Sequence, residues 1–230
     1  GDECLAGRSP VQGTELCGVV EAMYSYEVLL ALTGNPLFGD LLERAALNAL
    51  PAAASPDLWT HQYDQQINQI ACAPETEASV FGTNGRDANV FGLEPNYGCC
   101  TANMPQGWPK LAMTVFLRRP GGILAALPLP ARVETELDGI PVSVACSGGY
   151  PFRDTVTYTV SADRPVRFAF DVRIPGTAAS AVLDGQPVKP GTIVTLNRIW
   201  SGTKTLTLTM SFDVTLDPAG YGDLMVVNRG

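Results

Sequence analysis

The residues of this sequence that could carry chemistry are few and grouped. Glu15 and Cys17 stand two apart in Glu15-Leu16-Cys17, and Cys99 and Cys100 are adjacent. Three thiols and one carboxylate can make a closed tetrahedral zinc site. Both groups fall where helices are expected to begin, and a thiolate near a helix N-terminus gains from the macrodipole, which lowers its pKa. Vicinal cysteines rarely bridge each other without strain; they present two sulfurs to one place instead. The competing reading is a set of buried, inert cysteines, since free Cys is among the most buried residue types. Spacing alone leaves both open, because Glu-x-Cys is not a standard zinc knuckle. Cys4, Cys72 and Cys146 match no ligand spacing, and His61 is the single histidine.

The elements that must position these groups change character near residue 120. Thr14 is expected to cap a helix whose apolar positions are Leu16, Val19, Val20, Met23, Tyr24, Leu29 and Leu30, a helical spacing. Gly34-Asn35-Pro36 should end it and open a second helix, Leu37 to about Leu50, with Leu41, Leu42, Ala45 and Leu50 inward and Pro51 as its stop. Residues 51–98 read as loop with a strand at Trp59 to Gln66, and so long an irregular segment in an apolar domain is usually functional. A third helix is expected after the cysteine pair, from about Ala102 to Leu117, bent or interrupted by Pro105 and Pro109. Beyond Pro120-Gly121-Gly122 the apolar period becomes two, in runs such as Val156 to Val160, Val166 to Phe170 and Thr205 to Thr209. Asp138-Gly139, Asp184-Gly185 and Pro190-Gly191 separate the runs as turns. The expectation is an antiparallel layer, most simply a β-sandwich, and an α+β chain overall.

Composition narrows the function classes. Of 230 residues, 46% are hydrophobic and 17% charged, so the chain can bury a sizeable core. A net charge of −8, from 23 acids against 15 bases, argues against a nucleic-acid partner held by counterion release. The longest strongly apolar stretch, Val19 to Leu32, contains Glu21 and Glu27 and reads as too short for a membrane span. The abrupt start at Gly1-Asp2-Glu3 and the stop at Val227-Asn228-Arg229-Gly230 are expected of a piece of a longer protein.

Three segments carry a family resemblance: Gly13 to Glu21 (GTELCGVVE), His61 to Gln66 (HQYDQQ) and Phe91 to Asn103 (FGLEPNYGCCTAN). Together they resemble the β-L-arabinofuranosidases of glycoside hydrolase family 127, over most of residues 1–118 and more loosely through the β region. The resemblance implies the last part of an (α/α)6 catalytic barrel in residues 1–120 and a β-sandwich in 121–230. It implies Zn2+ held by Glu15, Cys17, Cys99 and Cys100, with Cys99 also the nucleophile of a retaining glycosidase. The family's acid/base Glu lies shortly before Glu-x-Cys, the place of Glu3 here, with Asp2 the weaker rival. His61, Tyr63 and Gln65, with Gln66 and Asn68, are expected to meet sugar hydroxyls, since sugars need planar polar groups and aromatic faces. The implied partner is an L-arabinofuranoside or related glycoside, with no nucleic acid and no membrane, and the reading leaves room for a homodimer. The rival readings are a non-catalytic carbohydrate-binding or structural β-sandwich module whose cysteines are structural, and a fragment of the enzyme that is inactive by itself.

Overall fold

A two-residue strand precedes the first helix. β1 (Thr14–Glu15) pairs antiparallel with β2 (Asp64–Gln65), placing Thr14 opposite Gln65 and Glu15 opposite Asp64. Thr14 is therefore a strand residue rather than a cap, and α1 (Leu16–Thr33) follows Glu15 directly. The Leu16 N–H, which no helical carbonyl can reach, donates to the Tyr63 carbonyl at 2.9 Å. The computed structural model describes residues 12–67, 69, 71–74, 85–93, 96–219 and 223–230, in two compact units. The first comprises Gly1–Val28, Leu41–Leu111 and Val214–Arg229, the second Leu29–Asp40, Ala112–Asp213 and Gly230.

Along α1, Leu16, Val19, Val20 and Met23 are buried as their spacing requires, and Glu27 continues the same stripe. Tyr24 and Leu29, expected inside, are exposed. With 18 residues and a mean hydropathy of 1.4, α1 is long and apolar enough to cross a membrane by length and composition, which corrects the shorter stretch read from sequence. Its one-sided burial is also the pattern of a core helix.

The chain turns where Gly34-Asn35-Pro36 predicts. Gly34 takes φ +64° and donates to the Leu30 carbonyl at 2.9 Å. Asn35 Oδ1 then accepts the Leu37 N–H at 3.1 Å, capping α2 (Pro36–Arg44). Pro51 does not stop this helical run. It lies inside α3 (Leu50–Ala52), and the turn ahead of it, Ala45–Ala49, widens to a π-helix closed by the Leu50 N–H on the Ala45 carbonyl. A proline's missing N–H breaks the i→i−4 ladder, and a wide turn is one way to absorb the gap.

The strand expected over residues 59–66 contracts to β2; elsewhere His61 makes isolated bridges to Ala54 and Gly92. α4 (Gly98–Thr114) begins four residues earlier than expected, so the cysteine pair lies in its first turn, with Pro105 and Pro109 inside the helix. A ribbon of β11 (Val214–Pro218) and β12 (Met225–Arg229) completes the first unit, and Arg44 Nη2 donates to Asn228 Oδ1 at 3.2 Å.

The second unit is built on one eight-stranded mixed sheet: β3 (Phe116–Arg119), β4 (Gly122–Ala125), β5 (Ala131–Leu137), β6 (Ile140–Gly148), β7 (Thr155–Ile174), β8 (Ser180–Leu183), β9 (Gln186–Val188) and β10 (Thr192–Ser211). Asp138-Gly139 and Asp184-Gly185 take positive φ and close the β5–β6 and β8–β9 hairpins with two-residue loops. The expected all-antiparallel layer is corrected at one pairing, since β4 runs parallel to β7. Expected short strands are also merged: Val156 to Val160 with Val166 to Phe170, and Ile193 to Leu196 with Thr205 to Thr209. β7 and β10 each run 20 residues and pair along their length across an irregularity between Trp200 and Gly202.

The second half of β7 is buried on both faces, so its polar residues need partners. Asp171 pairs with Arg119, and Arg173 pairs with Asp40 while donating to the Ala126 carbonyl at 2.6 Å. Burial lowers the Arg173 pKa to about 10, Asp40 opposing that shift, so the guanidinium stays cationic near neutral pH. Trp200 fills the surrounding core against Phe168 and Phe170 at ring-centroid distances of 5.5 and 6.0 Å.

Candidate metal centre and active site

Glu15 and Cys17 are delivered by the β1–α1 junction, Cys99 and Cys100 by the first turn of α4. The carboxylate oxygen and three sulfurs all lie within 4.8 Å of one another, and Cys17 Sγ is 3.3 Å from Cys100 Sγ. A tetrahedral ion with bonds near 2.3 Å to sulfur separates its donors by about 3.8 Å, so this set can close on one zinc with small side-chain adjustments. Three soft sulfurs with one oxygen also suit zinc better than a hard, oxygen-seeking cation.

The four groups are not equally accessible. Cys100 is fully buried, Glu15 and Cys17 are half-buried, and Cys99 is exposed. Burial pushes the Cys17 thiol up to about 11, opposed chiefly by a hydrogen bond from Asn103. Cys100 is raised further, by burial first and then by its contact with Cys17. Near neutral pH these two sulfurs hold their protons unless a cation replaces them.

Segment 61–65 touches both halves of this cluster. His61 is buried; its Nε2 lies 2.9 Å from Thr101 Oγ1, and its Nδ1 lies 3.3 Å from the Gln62 carbonyl. The Tyr63 ring is buried and stacks on Tyr97 at 4.0 Å. The Gln65 amide donates to the Ala49 carbonyl at 2.6 Å. Gln62, also buried, donates to the Asn89 carbonyl at 2.8 Å. Glu3 lies outside the described residues, as do Asp2, Cys4, Asn68 and Glu94.

Sequence reasoning missed three neighbours of the cluster. Asp64, fully buried, sits opposite Glu15 in the β1–β2 pair and helps raise the Tyr97 pKa, after burial itself. Thr101 and Asn103 follow the cysteine pair on α4. Asn103 is four residues after Cys99 and three after Cys100, which puts it on their face of the helix. That signal was available, but it was lost because the helix was expected to start at Ala102.

A cluster of three thiols and a carboxylate at a strand–helix junction in one unit, and a mixed sheet in the other, are the features these comparisons meet. Residues 122–212 match the family model described as "Beta-L-arabinofuranosidase, GH127 middle domain". A GH127 β-L-arabinofuranosidase from Geobacillus stearothermophilus T6 superposes with a TM-score of 0.77 at 20% identity, covering 95% of this chain and 35% of that one. A protein described as a glycoside hydrolase gives 0.76 at 20% identity, covering 95% and 37%. A GH127 β-arabinofuranosidase gives 0.74 at 18% identity, covering 94% and 36%. Residues 122–212 match that middle-domain model, the fold of nearly the whole chain resembles these solved structures, and the chain spans little more than a third of each of them. No curated protein matches it.

Proposed function

We propose that this chain is part of a retaining glycoside hydrolase of the β-L-arabinofuranosidase kind, with Cys99 as nucleophile and zinc held by Glu15, Cys17, Cys99 and Cys100. The observation that carries the reading is the convergence of three sulfurs and one carboxylate, drawn from positions 15 to 100, within 4.8 Å of one another. In the same reading, residues 1–120 are the C-terminal part of an (α/α)6 barrel and 121–230 a β-sandwich. The apolar residues Tyr24, Val28, Leu29 and Leu32, exposed along α1, support the first assignment, because a barrel helix has neighbours on more than one side.

Bound at this site, zinc would keep the sulfurs deprotonated and fix their direction. The exposed Cys99 thiolate attacks the anomeric carbon as the bond to the leaving oxygen breaks, and Glu3 gives that oxygen its proton. Glu3, now a carboxylate, takes a proton from water, which displaces the Cys99 sulfur and restores the starting configuration. Glu15 is unsuited to that role, since a metal-held carboxylate stays ionised. Tyr63 supplies an aromatic wall through its stack on Tyr97, and His61 and Gln65 shape the sugar side of the site.

The test uses the intact protein. The first-formed sugar product should keep the configuration of the substrate by NMR, and a slow substrate should leave a glycosyl adduct on the Cys99 peptide. Glu3→Gln should abolish turnover of glycosides with poor leaving groups while sparing activated aryl glycosides, which need little protonation. Inverted product, or equal losses on both substrate types, would contradict the roles given to Cys99 and Glu3 respectively.

A further inference from the structure

The vicinal cysteines stand on a helical turn that the helix itself holds incompletely. Pro105 has no N–H to give the Thr101 carbonyl, so the first turn of α4 lacks one bond of its ladder. What steadies that turn comes from segment 61–65. His61 Nε2 meets Thr101 Oγ1 at 2.9 Å, and Tyr63 stacks on Tyr97, whose carbonyl accepts the Cys100 N–H at 3.1 Å. The same five residues hold the other half of the donor set. The Tyr63 carbonyl accepts the Leu16 N–H between Glu15 and Cys17, and Asp64 and Gln65 pair with β1.

His61 is itself anchored. Its backbone exchanges hydrogen bonds with Gly92 at 3.1 and 3.2 Å, and its ring is buried. The Gln62 carbonyl can only accept, so Nδ1 carries the proton and donates. Nε2 shares a hydrogen bond with the Thr101 hydroxyl, and both ring nitrogens are engaged by the protein.

We infer that His61 is a positioning residue of the metal centre: by its hydrogen bond with the Thr101 hydroxyl it sets the rotation of the first turn of α4 and aims the Cys99 and Cys100 sulfurs at the place Glu15 and Cys17 define. This rests on the metal site proposed above and refines the sugar-side place given there to His61. Partners that orient metal ligands from behind typically matter 10–100-fold in affinity or activity.

Two readouts test it on the full chain. Because His61 is the sole histidine, a long-range 1H–15N spectrum shows one imidazole, expected with a proton on Nδ1. Thr101→Val should move its Nε2 signal, and Thr101→Ser should restore it. With Co2+ as the probe metal, the wild-type chain should show thiolate-to-metal charge-transfer bands. Thr101→Val and His61→Ala should each shift those bands and weaken Co2+ binding by about 10–100-fold, while Thr101→Ser should match the wild type. The double variant should lose no more than the worse single one, because both remove the same contact. An imidazole signal unmoved by Thr101→Val overturns the contact. Bands and affinity unmoved in both single variants, or losses that add, overturn its positioning role. A wild-type chain without thiolate–Co2+ bands sinks the metal-site reading itself, and the inference with it.

Discussion

Cys17 and Cys100, with sulfurs 3.3 Å apart, resist ionisation because burial disfavours the thiolate, and at Cys100 the neighbouring Cys17 sulfur disfavours it again. Cys17, held at about 11, is protonated at neutral pH in the metal-free chain. Zinc binding must expel that proton, so affinity should rise with pH by about tenfold per unit for each thiol proton released, and fall on acidification. Competition titrations against a chromophoric chelator at several pH values measure this, and an affinity independent of pH would contradict it. At this scale the sequence was informative about residue type and poor about direction. The Glu-x-Cys and Cys-Cys pairs marked the four residues whose donor atoms lie within 4.8 Å of one another, although spacing alone also allowed inert buried cysteines. The contacts of His61, Tyr63 and Gln65 were not legible: Thr101, Tyr97 and the Ala49 carbonyl reach them only through the folded loop.

Along the helices, Glu27 departs most from what spacing suggests. It occupies an inward position of α1, burial raises its pKa to about 7, and Lys110 opposes the shift. A carboxyl that titrates near 4.5 when unfolded and near 7 when folded stabilises the fold fully below the lower value. That stability is lost as pH rises through the upper one. Glu27→Gln should therefore raise stability at pH 8 by up to about 3 kcal/mol and change it little at pH 4.5, as thermal melts at the two pH values would show. An equal effect at both would mean that Glu27 is not desolvated when ionised. Helix ends marked by local chemistry, such as Gly34-Asn35-Pro36, were legible. Pro51 misled, because a proline weakens a helix without always ending it once packing favours continuation.

The sheet unit as a whole holds two guanidinium–carboxylate contacts, and of their guanidinium groups only that of Arg173 is buried. Asp40→Ala strands Arg173 as a buried charge and should cost about 3–5 kcal/mol. Asp40→Ala with Arg173→Met should recover much of that loss in denaturant unfolding, because no uncompensated charge remains. A double variant no better than the single would mean that Asp40 acts through its other bond, to the Gly176 N–H at 2.9 Å. The period-two pattern and the Asp-Gly turns made the hairpins readable. The parallel β4–β7 pairing was not, because nothing local marks a contact between Gly122–Ala125 and Ala169–Val172. Nor was the continuity of β7 legible, since Asp163-Arg164-Pro165 reads as a break until β10 pairs on both sides of it. The family resemblance had been carried by motifs before residue 119, whereas the family model matches 122–212, so the two signals come from different stretches of the chain.

Zinc K-edge X-ray absorption on the metal-loaded chain, with metal content measured on the same sample, tests the central claim most directly. One zinc per chain is expected, bound by three sulfurs at about 2.3 Å and one oxygen at about 2.0–2.2 Å, and Cys99→Ser should replace one sulfur in that shell. A chain that takes up no zinc, or a shell unchanged by Cys99→Ser, would contradict the account.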